Sequence, residues 1–205
     1  MVPELTIEHA TADDIDAVTD LWVQLAYGQR EHDAAVRAEA NREMMRETLA
    51  AHRVSDGLLV ARLVVDGTDS DRDRDHDDDN ETIAISSSIP TSTTRTTDTT
   101  SLIVGFASFS LEHGSLELDR TRGLLSNLYV VPSHRSQGIG SKLLAAVASE
   151  LEDQGADALL LEVMARNDAA QEFYRSHGFE PYRLGMQRPL TGDGDDDSDD
   201  SQEPS

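Results

Sequence analysis

A glycine-containing turn directly after an apolar run is the feature of this chain best suited to chemistry. Residues 124–132 read Leu-Leu-Ser-Asn-Leu-Tyr-Val-Val-Pro, and residues 135–142 read Arg-Ser-Gln-Gly-Ile-Gly-Ser-Lys. Pro132 cannot donate to a strand ladder, and the two glycines allow backbone amides to turn inward. A helix that begins here adds unpaired N–H groups and the positive end of its dipole. The pattern therefore predicts a strand, a turn that binds a polyphosphate, and a helix.

The spacing within this turn excludes two common phosphate-binding motifs. A P-loop requires Gly-Lys followed by Ser or Thr, whereas Gly140 is followed by Ser141 and Lys142. A dinucleotide-binding fingerprint needs a third small residue at position 143, which is Leu. The order Arg-x-x-Gly-x-Gly at 135–140 instead resembles the pyrophosphate motif of the GCN5-related N-acetyltransferases, which bind acetyl coenzyme A. That resemblance implies cofactor contacts from Leu128, Tyr129, Val130, Arg135, Ser136, Gln137, Gly138, Ile139, Gly140 and Ser141.

A second group of residues could supply one of the proton transfers that acyl transfer needs. The departing thiolate requires a proton donor, and a phenol with a pKa of about 10 stays protonated at neutral pH. Tyr174 is such a phenol. The spacing Asn167-x6-Tyr174-x3-Gly178-Phe179 resembles the family's second signature. The resemblance implies that Asn167 contacts the pantetheine arm and that Tyr174 is the general acid, while the alternative is that Tyr174 only packs its helix on the sheet.

An acidic residue in an apolar segment is the candidate base. An alkyl amine with a pKa of about 10.4 is almost fully protonated at neutral pH, so its proton must be removed. Glu162 interrupts the apolar segment 158–164, whose side chains would raise its pKa. Its surroundings resemble those of ribosomal-protein N-terminal alanine acetyltransferases, in which the matching Glu is the base. The alternatives are an exposed or salt-bridged Glu162 near Arg166, or a base that acts through a water chain.

The predicted elements place these residues in one α/β domain with a mixed sheet. Their order, βααβββαβαβ, is that of the acetyltransferase fold, which implies splayed central strands and helices on both faces of the sheet. Only one extended segment follows the last helix, where the family usually has two strands. We therefore expect one strand to be absent or replaced by a second copy in a homodimer through the C-terminal edge. The strands are predicted at 4–9, 58–65, 102–112, 123–131, 158–164 and 179–190, and the helices after Thr11, after Asp33, from about 139 to 155 and from 168 to 177.

Two acidic segments interrupt or follow the predicted domain, which spans 1–190. Residues 66–101 are Asp-rich and then Ser/Thr-rich, and residues 191–205 are mostly Asp, Gly and Ser. Such compositions bury little apolar surface, so both segments are predicted to be disordered. No frame through 69–81 has both the Gly and the Glu that an EF-hand loop requires.

The overall composition narrows the function classes. The 205 residues carry a net charge of −23 and no cysteine, which argues against nucleic acid as the main partner and excludes disulfides and thiolate metal sites. The histidines show no metal-ligand spacing, so we expect no bound metal. No membrane segment or signal peptide is recognised, so we expect a cytoplasmic protein. The surplus of acidic residues is typical of a protein from a halophile. The alternative explanation of this surplus is that it attracts a cationic substrate.

These observations predict an acetyl-CoA-dependent N-acetyltransferase. We expect direct transfer of the acetyl group to a primary amine, either on a small molecule or on a protein N-terminus or lysine. The acceptor would approach along the two N-terminal helices and the loop 27–35 that joins them. The alternative is a non-catalytic acyl-CoA-binding or partner-binding module that has kept the cofactor turn.

Overall fold

One mixed sheet organises the part of the chain that the structure describes. In the computed structural model this part comprises residues 4–66, 94–96, 99–112 and 119–188. The strands are β1 (Glu4–His9), β2 (Leu58–Asp66), β3 (Thr94–Thr96), β4 (Thr99–Leu111), β5 (Arg122–Val130) and β6 (Ala158–Leu161). The helices are α1 (Ile15–Gln29), α2 (Arg42–Val54), α3 (Ile139–Asp153) and α4 (Asp168–Ser176). The strand order is β1-β2-β4-β5-β6, with β3 paired to β4, and only the β5–β6 pair is parallel.

Helices cover both faces of the sheet, as predicted. Successive strand residues point to opposite faces, and β2 carries apolar residues on both. Leu58 and Val60 join a core cluster with residues of α1 and α2. Leu59 and Ala61 join a second cluster, built with residues of α3. Two cores on opposite sides therefore hold the sheet between the N-terminal helices and α3.

A buried ion pair fixes the start of α1 to the sheet. The Thr11 N–H donates to Asp14 Oδ2 at 2.8 Å, and the Arg62 guanidinium of β2 donates to the same oxygen at 2.9 Å. Asp14 is only 4% exposed. Burial by itself would raise the pKa of Asp14, but the hydrogen bonds from Thr11 and Arg62 outweigh it and hold the pKa below its ordinary value. Ionised Asp14 therefore stabilises the native state.

The strand boundaries differ from the sequence prediction at the acidic segment. β3 and the start of β4 fall within 66–101, which was predicted to be disordered. Thr94–Thr96 and Thr99–Leu111 begin with β-branched residues, which suit a pleated strand even where the composition is polar. Residues 67–93 and 97–98 lie outside the described residues, as does the predicted tail 191–205.

The C-terminal part of the sheet also differs from the prediction. β6 ends at Leu161 and not at 164. The strand predicted over 179–190 is wrong for residues 179–188, which form no strand, while 189–190 lie outside the described residues. Pro181 cannot donate to a strand ladder and Gly185 lacks a side chain that could pack, so this segment pairs poorly.

Candidate active site

A β-bulge in β5 opens the sheet beside the predicted cofactor turn. Ser108 of β4 is opposite Asn127, and the next residue, Phe109, is opposite Leu125, so Ser126 has no partner on β4. The extra residue reverses which side chains face α3. Leu125 packs in the α3 cluster before the bulge, and Leu128 packs there after it. A bulge bends its strand and increases the local twist, so β5 turns away from its neighbour here.

The pairing of β5 with β6 ends at the same level. Leu125 opposite Leu161 is the last pair, and β5 continues to Val130 with no strand on that side among the described residues. The backbone of residues 126–129 along this edge is therefore open to a ligand, while the Val130 carbonyl accepts a hydrogen bond from Arg135. This is the separation of strands that the family resemblance implies, and an extended pantetheine arm could pair there as an additional strand does.

The turn after β5 has the geometry of an anion site. The Val131 N–H donates to the Val104 carbonyl at 2.9 Å, which ends β5 firmly before the turn. Ser136 and Gly138 then adopt left-handed backbone conformations, with φ of 60° and 77°. The N–H groups of residues 139–141 make no backbone hydrogen bond within the described chain. Three free amides at the positive end of α3 can hold a diphosphate without any positively charged side chain.

Two predicted cofactor residues instead make contacts within the protein. The Arg135 Nε donates to the Val130 carbonyl at 3.0 Å, and its guanidinium carbon lies 5.6 Å from the centre of the Tyr129 ring. Tyr129 is 7% exposed, its ring packs in the α1–α2 cluster, and its hydroxyl donates to Gln24 at 3.3 Å. Burial raises the pKa of Tyr129, although nearby Arg135 opposes the shift. The Tyr129 side chain is therefore a core residue, and its backbone is the part that lies along the open edge.

The first turn of α3 packs directly against α4. A Cβ atom built on Gly140 would lie 3.5 Å from the ring of Phe173, an ordinary van der Waals distance, so the first turn of α3 and α4 are in contact at this position. His177, directly after α4, places Nε2 2.9 Å from the hydroxyl of Ser141. The structure thus brings the phosphate turn together with the helix that carries the candidate general acid. This juxtaposition was predicted only through the family resemblance.

Tyr174 lies in an aromatic group on α4. Its ring centre is 5.2 Å from that of Phe173 and 5.6 Å from that of Phe179, both in edge-to-face orientation. Burial raises the pKa of Tyr174 to about 12. No hydrogen bond to its hydroxyl occurs within the described chain, so the proton is available to a ligand. The phenol is therefore protonated at neutral pH.

Asn167 caps the helix that carries Tyr174. Its Oδ1 accepts a hydrogen bond from the Ala170 N–H at 3.0 Å. The amide group Nδ2 makes no hydrogen bond within the described residues, so it can still donate to a ligand. Asn167 thus has a structural role as the cap of α4, which the family resemblance did not imply. The resemblance implied only a contact with the cofactor.

Glu162 lies one residue beyond the end of β6. The side chain is exposed and makes no ion pair with any residue that the structure describes. The apolar environment predicted for it is therefore wrong, because β6 ends before the strand can bury this position. Arg166, the alternative partner, pairs with Asp33 instead. That pair links the loop between α1 and α2 to the segment between β6 and α4.

A polar pair on the α1–α2 face was not predicted. Asn127 Nδ2 donates to Ser108 Oγ at 2.8 Å, and Ser108 is fully buried. Asn127 directly follows the bulge residue. Only the register of β4 against β5 brings the two side chains together, and sequence spacing carries no signal for it.

Other kinds of site receive no support from the described residues. They contain no group of three or more histidine, aspartate or glutamate side chains arranged to hold a metal ion. Among the helices of the described ranges, none is long and apolar enough to cross a membrane.

The fold and the turn place the chain in a known family. Residues 58–179 match the model of the acetyltransferase (GNAT) family, and the chain belongs to that family. It is 39% identical over 74 residues to the [ribosomal protein bS18]-alanine N-acetyltransferase of Escherichia coli K12. The aligned region covers 36% of this chain and 50% of that protein. It is 37% identical over 71 residues to N-alpha-acetyltransferase 30 of Schizosaccharomyces pombe. Here the aligned region covers 35% of this chain and 47% of that protein. These matches span about half the length of each relative.

A solved structure shows the same fold over most of the chain. The aminoglycoside N-acetyltransferase AAC(6')-Iy, in complex with CoA, superposes with a TM-score of 0.56 at 16% identity. The superposition covers 93% of this chain and 98% of that one. At this level of identity the likeness establishes the fold, and the chemistry has to be argued from the residues of this chain.

Proposed function

We propose that the protein is an N-acetyltransferase that moves an acetyl group from acetyl-CoA directly to a primary amine. The observation that carries the proposal is the contact between the phosphate turn and α4. The contact brings the turn with the free amides of residues 139–141 against α4, the helix that carries Tyr174. A diphosphate at one end and a thioester at the other match the two ends of acetyl-CoA.

Donor binding uses backbone more than side chains. The amides of residues 139–141 hold the pyrophosphate, and the edge of β5 from Leu128 to Val130 pairs with the amides of pantetheine. Asn167 Nδ2 donates to the same arm while Oδ1 caps α4. Ser136 and Gln137 border the diphosphate, and Arg135 supports the turn through its hydrogen bond to the Val130 carbonyl. A cofactor of about this length is thus bound by groups that are already in place, which limits the entropic cost of binding.

Tyr174 stabilises the sulfur that leaves. A free thiol has a pKa of about 8.5, so a phenol of pKa about 12 is the weaker acid, and complete proton transfer between isolated groups costs about 5 kcal/mol. The same buried environment disfavours a thiolate and raises the pKa of the thiol. Tyr174 therefore acts first as a hydrogen-bond donor to the developing thiolate. It transfers the proton as the negative charge on sulfur becomes complete.

Glu162 is the proposed acceptor of the amine proton. It follows β6 at the point where β5 and β6 part, close in sequence to the cap of α4. Its exposure allows it to act through a water molecule. With both roles filled, the amine attacks the thioester carbonyl, the C–S bond breaks, and no acetyl-enzyme forms.

The acceptor is proposed as an amine, since the names of the relatives share amine acetylation. They refer to a ribosomal-protein alanine in one case and to an aminoglycoside in another. The loop 27–35 is tied to the segment between β6 and α4 by the Asp33–Arg166 pair, and it borders the acceptor side. The net charge of −23 supports a role in concentrated salt inside the cell and would also favour a cationic acceptor.

Thiol release from acetyl-CoA tests the proposal against a non-catalytic acyl-CoA-binding module. The panel of acceptors should include amines, polyamines, aminoglycosides and peptides with free N-termini, in molar and in low salt. Titration calorimetry of acetyl-CoA on the same protein samples measures binding separately. Binding together with amine-dependent thiol release supports the enzyme. Binding without release on any acceptor supports the module, and absence of binding overturns both.

A further inference from the structure

A serine and a histidine join the phosphate turn to the helix that carries Tyr174. Ser141 lies in the first turn of α3, and His177 directly follows α4. Ser141 Oγ and His177 Nε2 are 2.9 Å apart, although the two residues are separated by 36 positions in the chain. No spacing in the sequence connects this histidine to the turn.

The other hydrogen-bond partner of His177 determines which of the two side chains is the donor. His177 Nδ1 lies 2.7 Å from the carbonyl oxygen of Phe173, in the last turn of α4. A carbonyl oxygen can only accept, so Nδ1 carries the proton and Nε2 of the neutral ring is the acceptor. The Ser141 hydroxyl therefore donates to His177. The imidazole uses one nitrogen to hold its own helix and the other to hold α3.

Packing supports the same connection. The His177 ring centre lies 4.4 Å from that of Phe173, and Phe173 in turn approaches Gly140. The hydrogen bond and the aromatic contact thus act on successive residues of the first turn of α3. These are residues whose amides face the proposed diphosphate.

We propose that His177 is a positioning residue of the donor site, which holds Ser141 and so fixes the phosphate turn relative to the helix of Tyr174. This inference rests on the proposed function. The two ends of acetyl-CoA are bound by different elements, the diphosphate by α3 and the thioester beside α4. A donor that spans both ends requires their spacing to be fixed. A donor that lacks the diphosphate does not.

Truncated and complete donors separate this role from a general structural one. We would measure the KM of acetyl-CoA and of acetyl-pantetheine for the wild type, His177→Phe, Ser141→Ala and the double variant. His177→Phe keeps an aromatic ring against Phe173 and removes both nitrogens. The ratio of the KM of acetyl-CoA to that of acetyl-pantetheine should rise about two- to twelvefold, the effect of one hydrogen bond. The double variant should show no larger rise than His177→Phe, because both substitutions remove the same bond.

A second histidine that contacts α3, at the end of β1, provides the matched control. His9 Nε2 lies 3.2 Å from Glu150 near the other end of α3. His9→Phe therefore removes a histidine contact to α3 far from the turn, and the KM ratio should not change. Circular dichroism of each variant verifies that it is folded. If His177→Phe does not fold, Ser141→Ala tests the same bond from the other side, with the same expected rise.

The outcomes separate this inference from the function on which it rests. A wild type that acetylates amines while both single variants keep the wild-type ratio would overturn the role of His177 alone. The same holds if both donors lose affinity equally. A wild type that does not bind acetyl-CoA would overturn the proposed function itself.

Discussion

Replacement of Tyr174 by phenylalanine removes the proposed proton donor and little else. The hydroxyl has no hydrogen-bond partner in the described chain, while the ring keeps its edge-to-face contacts with Phe173 and Phe179. Stability should therefore stay within about 0.5 kcal/mol of the wild type, since no buried polar group is left unpaired. Loss of a general acid lowers turnover about 10²- to 10⁴-fold. We expect that fall in kcat, with the affinity for acetyl-CoA retained.

Thiol release at saturating acetyl-CoA measures this kcat, and titration calorimetry measures donor affinity. Tyr182→Phe is the matched control, because Tyr182 is 64% exposed and its hydroxyl has no hydrogen-bond partner among the described residues. It should release thiol at the wild-type rate. Turnover by Tyr174→Phe within threefold of the wild type would refute the assignment of Tyr174 as the acid.

The pH dependence gives an independent test of the same residue. A general acid must be protonated, so activity is lost as pH rises through its pKa. Because burial raises the pKa of Tyr174 to about 12, its ionisation should cause no fall in kcat between pH 8 and about pH 11. An ordinary phenol would cause a fall from about pH 10. A fall near pH 10 that is absent in Tyr174→Phe would show that the phenol is not shielded as described.

Three further substitutions test the base and the fold. Glu162→Gln should lower kcat about 10²-fold, whereas Glu172→Gln, at an exposed position on α4, should not; equal rates would leave the base to be sought elsewhere. Asp14→Asn should cost about 2 kcal/mol of unfolding free energy at pH 7, measured with urea. The pKa of Asp14 in the folded protein lies below the ordinary 3.8, so the difference in unfolding free energy between the wild type and Asp14→Asn should have its full size above pH 4. The difference should shrink as the pH falls through the lowered pKa of the folded protein. A difference that stays constant with pH would contradict the role of ionised Asp14. Gly57→Ala should destabilise by about 1 to 3 kcal/mol, because its Cβ would lie 2.2 Å from the Phe109 carbonyl oxygen, while Gly28→Ala, with open space around it, should stabilise α1 slightly; equal thermal midpoints would refute the clash.

Local patterns made the cofactor turn predictable from sequence. A proline, two glycines and an apolar run determine where β5 ends and α3 begins, and these signals lie within twenty residues. The period of apolar residues likewise located β1, β2, α1, α3 and α4, whereas α2 begins at Arg42 and not directly after Asp33 as predicted. The polar composition of 94–101 was misleading, because β-branched threonines extend β4 where a disordered segment was expected.

Features that depend on register or on distant pairs could not be predicted in this way. The bulge at Ser126 exists only as an offset between β4 and β5, and it changes which side chains face each core. The contact between Ser141 and His177 joins residues from two helices, so neither neighbourhood carries a signal for it. The exposure of Glu162 follows from the early end of β6, and strand ends depend on pairing partners that the apolar run does not specify.

The stoichiometry of the reaction tests the central claim most directly. With one amine that supports turnover, thiol released and acetylated amine formed would be quantified in the same sample, by a thiol reagent and by mass spectrometry, with the intact protein weighed in parallel. Direct transfer predicts equal amounts of thiol and acetylated amine, with no acetylated protein. Thiol release without acetylated amine, or a protein that gains the mass of one acetyl group during turnover, would contradict it.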